Sequence, residues 1–270
     1  MPFPRPQHRE FEPPTPLSDA IKCFWCDSRS TEEAVSDIQV LPDGYVEIIF
    51  IFGGACSVLH EGAWQHLRSP FMMGLLDQPM TLRADGRLEI ISIRCHPWAV
   101  FDLLGLPATN ETLHALDHPI AHLQSALEPL MLAGRVEEAL SHLAAFLVDA
   151  RAMPKAGPML AKAGTAMSEA HGTLPVHAVA AAAHATVRTL ERKFKQSSGH
   201  TVKDVSGLMR FEQVRNRLFV TPDACIASLA QELGYTDQSH LNREFKRYTG
   251  TTPAAFAHRL TLSRLSKPGP

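Results

Sequence analysis

The apolar positions change period once along the chain, and the change divides it. From about Leu17 to Cys95 they alternate or run in short blocks between turn residues. VLPDGYVEIIFIFGG (residues 40–54) has a Pro-Asp-Gly turn signal, then a β-branched and aromatic run ending in Gly-Gly. RADGRLEIISIRC (83–95) repeats the scheme behind an Asp-Gly turn, and SVLHEGAWQHL (57–67) reads as a hairpin around Glu-Gly. Short strands with glycine-rich turns predict a sandwich or small barrel. After His96-Pro97 the spacing becomes three and four residues in WAVFDLLGL, IAHLQSALEPLMLA and VEEALSHLAAFLVDAR, which predicts helices. RAMPKAGPML (151–160) holds two prolines and a glycine and reads as a linker, with further helices from about Met159 to Arg259.

Within that last stretch one phrase occurs twice. LERKFKQSSG (190–199) and LNREFKRYTG (241–250) match at Leu190/Leu241, Arg192/Arg243, Phe194/Phe245, Lys195/Lys246 and Gly199/Gly250. On a helix each Leu and Phe share one face. Arg188, Arg192 and Lys195 share another, matched by Ser239, Arg243 and Lys246. The glycines stand where a helix would end in a left-handed residue. Each phrase follows a short apolar-periodic segment, PVHAVAAAAHAT (175–186) or CIASLAQELGYTD (225–237), with Val176, Val179 and Ala183 answering Ile226, Leu229 and Leu233. A short helix, a tight turn and a second helix with outward arginine is the helix-turn-helix design. Its second helix fits the DNA major groove, where Arg reads guanine and Gln or Asn reads adenine.

Charge sharpens this division. Residues 171–270 hold 14 Lys/Arg against 7 Asp/Glu, a net +7, whereas residues 1–170 hold 12 against 21, a net −9. A basic module with an anionic partner thus follows an acidic module with another task. The first sixteen residues carry six prolines and no apolar block, so an extended arm is expected rather than a signal peptide. Five cysteines without an export signal suggest reduced thiols in the cytoplasm, and no apolar run is long enough to span a membrane.

Residues from about 174 to 259 closely resemble the AraC/XylS-type transcription regulators. SLAQELGYTDQSHLNREFKRYTGTTPAAF carries the resemblance to the second unit, and VAAAAHATVRTLERKFKQSSG carries a weaker one to the first. TVKDVSGLMRFEQVRNRLF (201–219) matches the connecting helix, with Val205, Leu208, Phe211 and Leu218 on its buried side. His184 stands in the first turn where a small residue or glycine is common, and Gly207 sits inside the connecting helix at a cost of about 1 kcal/mol relative to Ala. The resemblance implies that Arg188, Glu191 and Arg192 face bases in the first unit, and Gln238, Ser239, His240, Asn242 and Arg243 in the second. Lys195 and Lys246 are expected on phosphates. Glu191 could accept from a cytosine amino group.

The front half resembles the cupin-like sensor domain of a subgroup of these regulators, through CFW (23–25), LPDGYVEIIFIFGG, FMMG (71–74) and IRCHPWAVFDLLGLP (93–107). That implies a small β-barrel with a helical cap, for effector binding or dimerisation. The expected fold class is therefore α+β. Its parts are an arm at 1–16, a sensor at 17–150, the linker at 151–160, a double helix-turn-helix domain at 161–262 and a tail at 263–270. Trp25, Tyr45 and Glu47 are candidate ligand contacts in the barrel; the alternatives are plain aromatic core and an outward carboxylate. Cys23-Phe-Trp-Cys26 is a CxxC whose zinc partners would come from Cys56, Cys95, His60 and His96 without diagnostic spacing. Buried strand cysteines are the alternative to both metal and redox roles. His114, His118 and His122 recur every four residues, but Pro119 argues for surface or cap positions. No nucleophile elbow, phosphate loop or HExxH is present, so a non-enzymatic regulator without a cofactor is expected. Its partners would be double-stranded DNA, a small-molecule effector, a second copy of the chain and, by the resemblance, RNA polymerase. The alternatives are a metal- or thiol-dependent cupin-type enzyme or sensor tethered to DNA, and a front half serving only dimerisation.

Overall fold

A computed structural model describes residues 8–29, 36–151 and 158–265, so much of the expected linker lies outside the described residues. Eight strands form one antiparallel sheet: β1 (Arg9–Phe11), β2 (Ile21–Arg29), β3 (Ser36–Val40), β4 (Val46–His60), β5 (Ala63–His66), β6 (Phe71–Met73), β7 (Met80–Cys95) and β8 (Leu113–Ala115). The order is β1-β2-β7-β4-β6-β8, with β3 beside β7 and β5 beside β4. Part of the expected proline-rich arm is thereby built into the sheet as its edge strand β1.

The sheet is not closed, which corrects the expected barrel. Its terminal strands β1 and β8 have three residues each and pair only with β2 and β6 among the described residues. The sheet instead folds over itself about its two long strands. Asp85-Gly86, expected to be a turn, lies in the middle of β7, where Gly86 has φ 79°. Opposite it, the register of β4 shifts between Gly53 and Ala55. A Cβ on Gly54 would approach the Asp85 carbonyl oxygen within 2.2 Å, so the bend admits only glycine there. The Glu61-Gly62 hairpin is formed as expected, pairing His60 with Ala63.

Alternation sorts the long strands into two cores. Val46, Ile48, Phe50 and Phe52, with Ile91, Ile93 and Cys95, face the helices, and Ile49, Ile51, Leu88 and Ile90 face the inside of the fold-over. The helices are α1 (Val100–Leu104), α2 (Leu123–Leu132), α3 (Val136–Ala150), α4 (Pro158–Glu169), α5 (Val176–Ala182), α6 (Val187–Ser198), α7 (Val202–Val220), α8 (Ile226–Glu232), α9 (Gln238–Thr249) and α10 (Pro253–Leu265). His118 caps a short 3-10 turn over Pro119–His122 by accepting from the Ile120 amide at 3.2 Å, which bears out its expected cap role.

Front and tail share a single core. Trp98 is 3% exposed, and its indole covers Gly164 of α4 so closely that a Cβ there would come within 2.2 Å. The same ring lies 6.1 Å from that of Phe194 on α6, and the Ser197 hydroxyl donates to the Trp98 carbonyl at 2.6 Å. On α7, Arg215 donates to the Pro42 carbonyl at 3.3 Å, and Met209 packs on Gly44. The 41–45 loop therefore rests on α7.

Candidate nucleic-acid interface

The two expected units form with the same local grammar. Thr186 caps α6 by accepting from the Thr189 amide, and Asp237 caps α9 by accepting from the His240 amide. Gly199 and Gly250 end the helices at φ 75° and 73°. His184 holds the first turn at φ 53°, as Gly234 holds the second at 71°, so histidine does adopt the left-handed geometry there. Leu190, Phe194, Leu241 and Phe245 are at most 1% exposed and anchor both helices. A further matched pair escaped sequence reading. Ser198 donates to the Phe194 and His200 carbonyls, and Thr249 donates likewise to Phe245 and Thr251, locking both helix ends.

The outward faces are basic. Arg188, Arg192, Lys195, Gln238, Ser239, Arg243 and Lys246 are exposed, while Glu191, His240 and Asn242 are half-buried. Among the described residues none of Arg188, Arg192, Lys195, Arg243 and Lys246 forms an ion pair. Other cations near them are committed internally. Arg210 of α7 donates to the Gly172 carbonyl at 2.9 Å and lies 3.8 Å from Glu244, which accepts from the Tyr235 hydroxyl at 2.9 Å. That cluster seats α9, and burial pushes the Tyr235 phenol up. Sequence reading missed Glu244 and Arg210 because both sit in a charged stretch where only tertiary contact separates a tie from a solvated face.

The connecting helix α7 has 19 residues and spans about 28 Å. Val205, Leu208, Phe211 and Leu218 are buried on it as expected. Gly207 faces α9, where an added Cβ would meet the Tyr248 hydroxyl at 3.4 Å, an ordinary contact. Gly207→Ala should therefore keep its packing and gain helix propensity, raising stability by up to about 1 kcal/mol in urea unfolding.

Two short helix–turn–helix frames, joined by α7 and capped alike, coincide with a family match. The helix-turn-helix family model matches residues 179–259. Those residues are similar to a helix-turn-helix domain. A second model, a domain of unknown function called DUF6597, matches residues 9–117, where the expected cupin likeness finds no support. The HTH-type transcriptional regulator RipA of Corynebacterium diphtheriae is 36% identical over 69 residues, covering 26% of this chain. The match spans 20% of that curated relative's length. Among solved structures, ToxT from Vibrio cholerae O395 is 12% identical, with 88% of this chain and 98% of that chain covered at a TM-score of 0.45. The DNA-binding domain of AdpA, in complex with a target DNA, is 24% identical, with 42% and 100% covered at a TM-score of 0.37. In front of the helix-turn-helix segment the fold-over sheet holds a separate site.

That site is a cavity of about 310 Å³, and Trp25, Tyr45 and Glu47 all line it. Glu47 is 5% exposed and points inward, resolving the two orientations left open by the sequence. It accepts from Trp25 Nε1 at 3.2 Å, Ser92 Oγ at 3.1 Å and Arg94 Nε at 2.9 Å. Asp43, Arg94 and, from α7, Arg215 line the same cavity and were not anticipated. Cys23 and Cys26 lie on β2, three residues apart and hence on opposite faces, both buried. Burial pushes the Cys23 thiol up to about 11 and raises Cys26 too, which disfavours thiolate chemistry. Among the described residues no three of His, Cys, Asp and Glu converge in a metal-binding group. No helix among the described residues is long and apolar enough to cross a membrane.

Proposed function

We propose that this chain is a sequence-specific DNA-binding transcription regulator whose front domain senses a small molecule. The observation carrying the reading is the pair of exposed arginine faces on α6 and α9, whose Arg188, Arg192 and Arg243 form no ion pair among the described residues and which α7 holds in matching frames. In this reading Arg188, Glu191 and Arg192 address one stretch of bases, and Gln238, Ser239, His240, Asn242 and Arg243 the next. Lys195 and Lys246 bind phosphate. The length of α7 suits two heads entering successive major grooves about one DNA turn (~34 Å) apart, so one protomer reads a non-palindromic site. The cavity supports the sensing half of the reading over a front domain used solely for dimerisation, which would be expected to be side-chain-filled. The raised thiols favour a regulator over a thiol-dependent enzyme. The reading extends to a cytoplasmic protein that acts with RNA polymerase and with a second copy of itself.

Selection of duplexes from a random pool, followed by titration against salt, tests this. Affinity should fall steeply with salt as lysines and arginines displace counterions, and a salt-independent complex would overturn the proposal. Arg243→Ala should cost about 1–3 kcal/mol of binding and relax preference at one or two base positions only. Its unfolding free energy should stay within about 0.5 kcal/mol of the parent, because the side chain is exposed and forms no ion pair among the described residues.

A further inference from the structure

The walls of the cavity in the fold-over sheet are apolar: Ile49, Ile51, Phe71, Met73, Leu82 and Leu88 face it. Its charged lining residues are Asp27, Asp43 and Glu47 with Arg94 and, from α7, Arg215. Neither guanidinium is uncommitted. Arg94 lies 2.9 Å from Glu47, 3.6 Å from Glu10 and 3.7 Å from Asp43. Arg215 lies 3.6 Å from Glu212 and donates to the Pro42 carbonyl. Three lining carboxylates (Asp27, Asp43 and Glu47) thus stand against two lining guanidiniums, which Glu10 and Glu212 also pair with from outside the lining. An anionic ligand would add charge to a site already in anionic excess, whereas a cation would relieve it. Trp25 and Tyr45 border the same space, and the Arg94 guanidinium, 5.6 Å from the Tyr45 ring centroid, shows that a cation is accommodated beside that ring.

We propose that this cavity binds a small apolar molecule bearing one ammonium group, which Asp43 holds by a charge-assisted hydrogen bond. The proposal deepens the sensing half of the reading above and rests on it. Asp43 is the carboxylate best placed for the task. Glu47 already accepts three hydrogen bonds. Asp43 accepts from the Tyr45 amide at 3.0 Å and keeps Arg94 only at 3.7 Å. It also stands in the 41–45 loop that Arg215 and Met209 of α7 touch, so a ligand on Asp43 bears directly on the helix joining the two heads. Burial first, and then the neighbouring Glu47, push the Asp43 carboxyl up to about 7. The groups facing it are Glu47 on β4, Arg94 on β7, Tyr45 in its own loop, and Glu212 and Arg215 on α7. Its ammonium-binding form is therefore populated above neutrality and lost as the pH falls.

Three probes of equal length test the assignment on the full chain: n-octylamine, octanoate and 1-octanol. Thermal unfolding and tryptophan fluorescence read their binding. Octylamine should raise the midpoint and bind about tenfold more tightly than octanol at pH ~8, and octanoate more weakly than both. That preference should vanish in Asp43→Asn and, in the unaltered protein, on acidification to pH ~5.5. Octanoate binding as tightly as octylamine, a preference surviving in Asp43→Asn or at acid pH, or no binding by any probe would each overturn the proposal. DNA binding by the same preparation is measured separately. Its absence would refute the regulator and leave the amine result standing, and its presence without amine selectivity would refute only this inference.

Discussion

Arg94→Ala should destabilise the chain by about 3–5 kcal/mol, measured as the change in free energy of urea unfolding. Glu47 is 5% exposed on the central strand β4, and Arg94 sits directly across from it on β7. Removing the guanidinium leaves a buried carboxylate with only the Trp25 and Ser92 donors, and takes an arginine partner from Asp43 and Glu10 as well. Most of the loss is the cost of stranding charge, not the worth of the ion pair. A paired replacement, Glu47→Gln with Arg94→Met, should therefore recover most of the stability. If the single variant unfolds within about 1 kcal/mol of the parent, the Glu47–Arg94 pair is not structural.

Phe245→Ala should cost a similar amount, about 3–5 kcal/mol, and should also reduce DNA affinity far more than its position suggests. Phe245 is 1% exposed, with the Phe211 ring at 5.2 Å and the Phe256 ring at 5.4 Å. It is the point where α9 is fixed to α7 and α10. An alanine leaves a cavity between those helices and frees the face bearing Arg243. Calorimetric unfolding and a DNA titration on the same variant separate it from Arg243→Ala, which should lose affinity without losing stability. Unchanged stability in Phe245→Ala would mean that α9 is held by contacts other than this ring.

The helical tail was largely legible in the sequence, because its determinants are local. Thr186, Asp237, Gly199 and Gly250 act within one turn of their own helices, and Leu190/Phe194 and Leu241/Phe245 find one face at fixed spacing. The front half was legible only as strands. Asp85-Gly86 and Gly53-Gly54 carry turn chemistry, yet here they bend two long strands that pair with each other across β4 and β7. Turn and bulge demand the same backbone freedom, so composition does not separate them. Likewise, whether the sheet closes depends on which edges meet, and β1 and β8 are separated by most of the front half.

Trp25, Tyr45 and Glu47 could be named from the sequence as candidates, but not Asp43, Arg94 and Arg215 beside them. Those six residues come from β2, the 41–45 loop, β4, β7 and α7, and no periodicity relates them. The sequence by itself determined the two heads, their caps and their basic faces, since helix spacing and capping are encoded over four to seven residues. Only the tertiary structure decided that the sheet stays open, that Trp98 welds the front to α4 and α6, and that a cavity with excess carboxylate leans on the connecting helix. Those outcomes turn on contacts between residues far apart in the chain, whose closure depends on how the long strands bend and what they then bury.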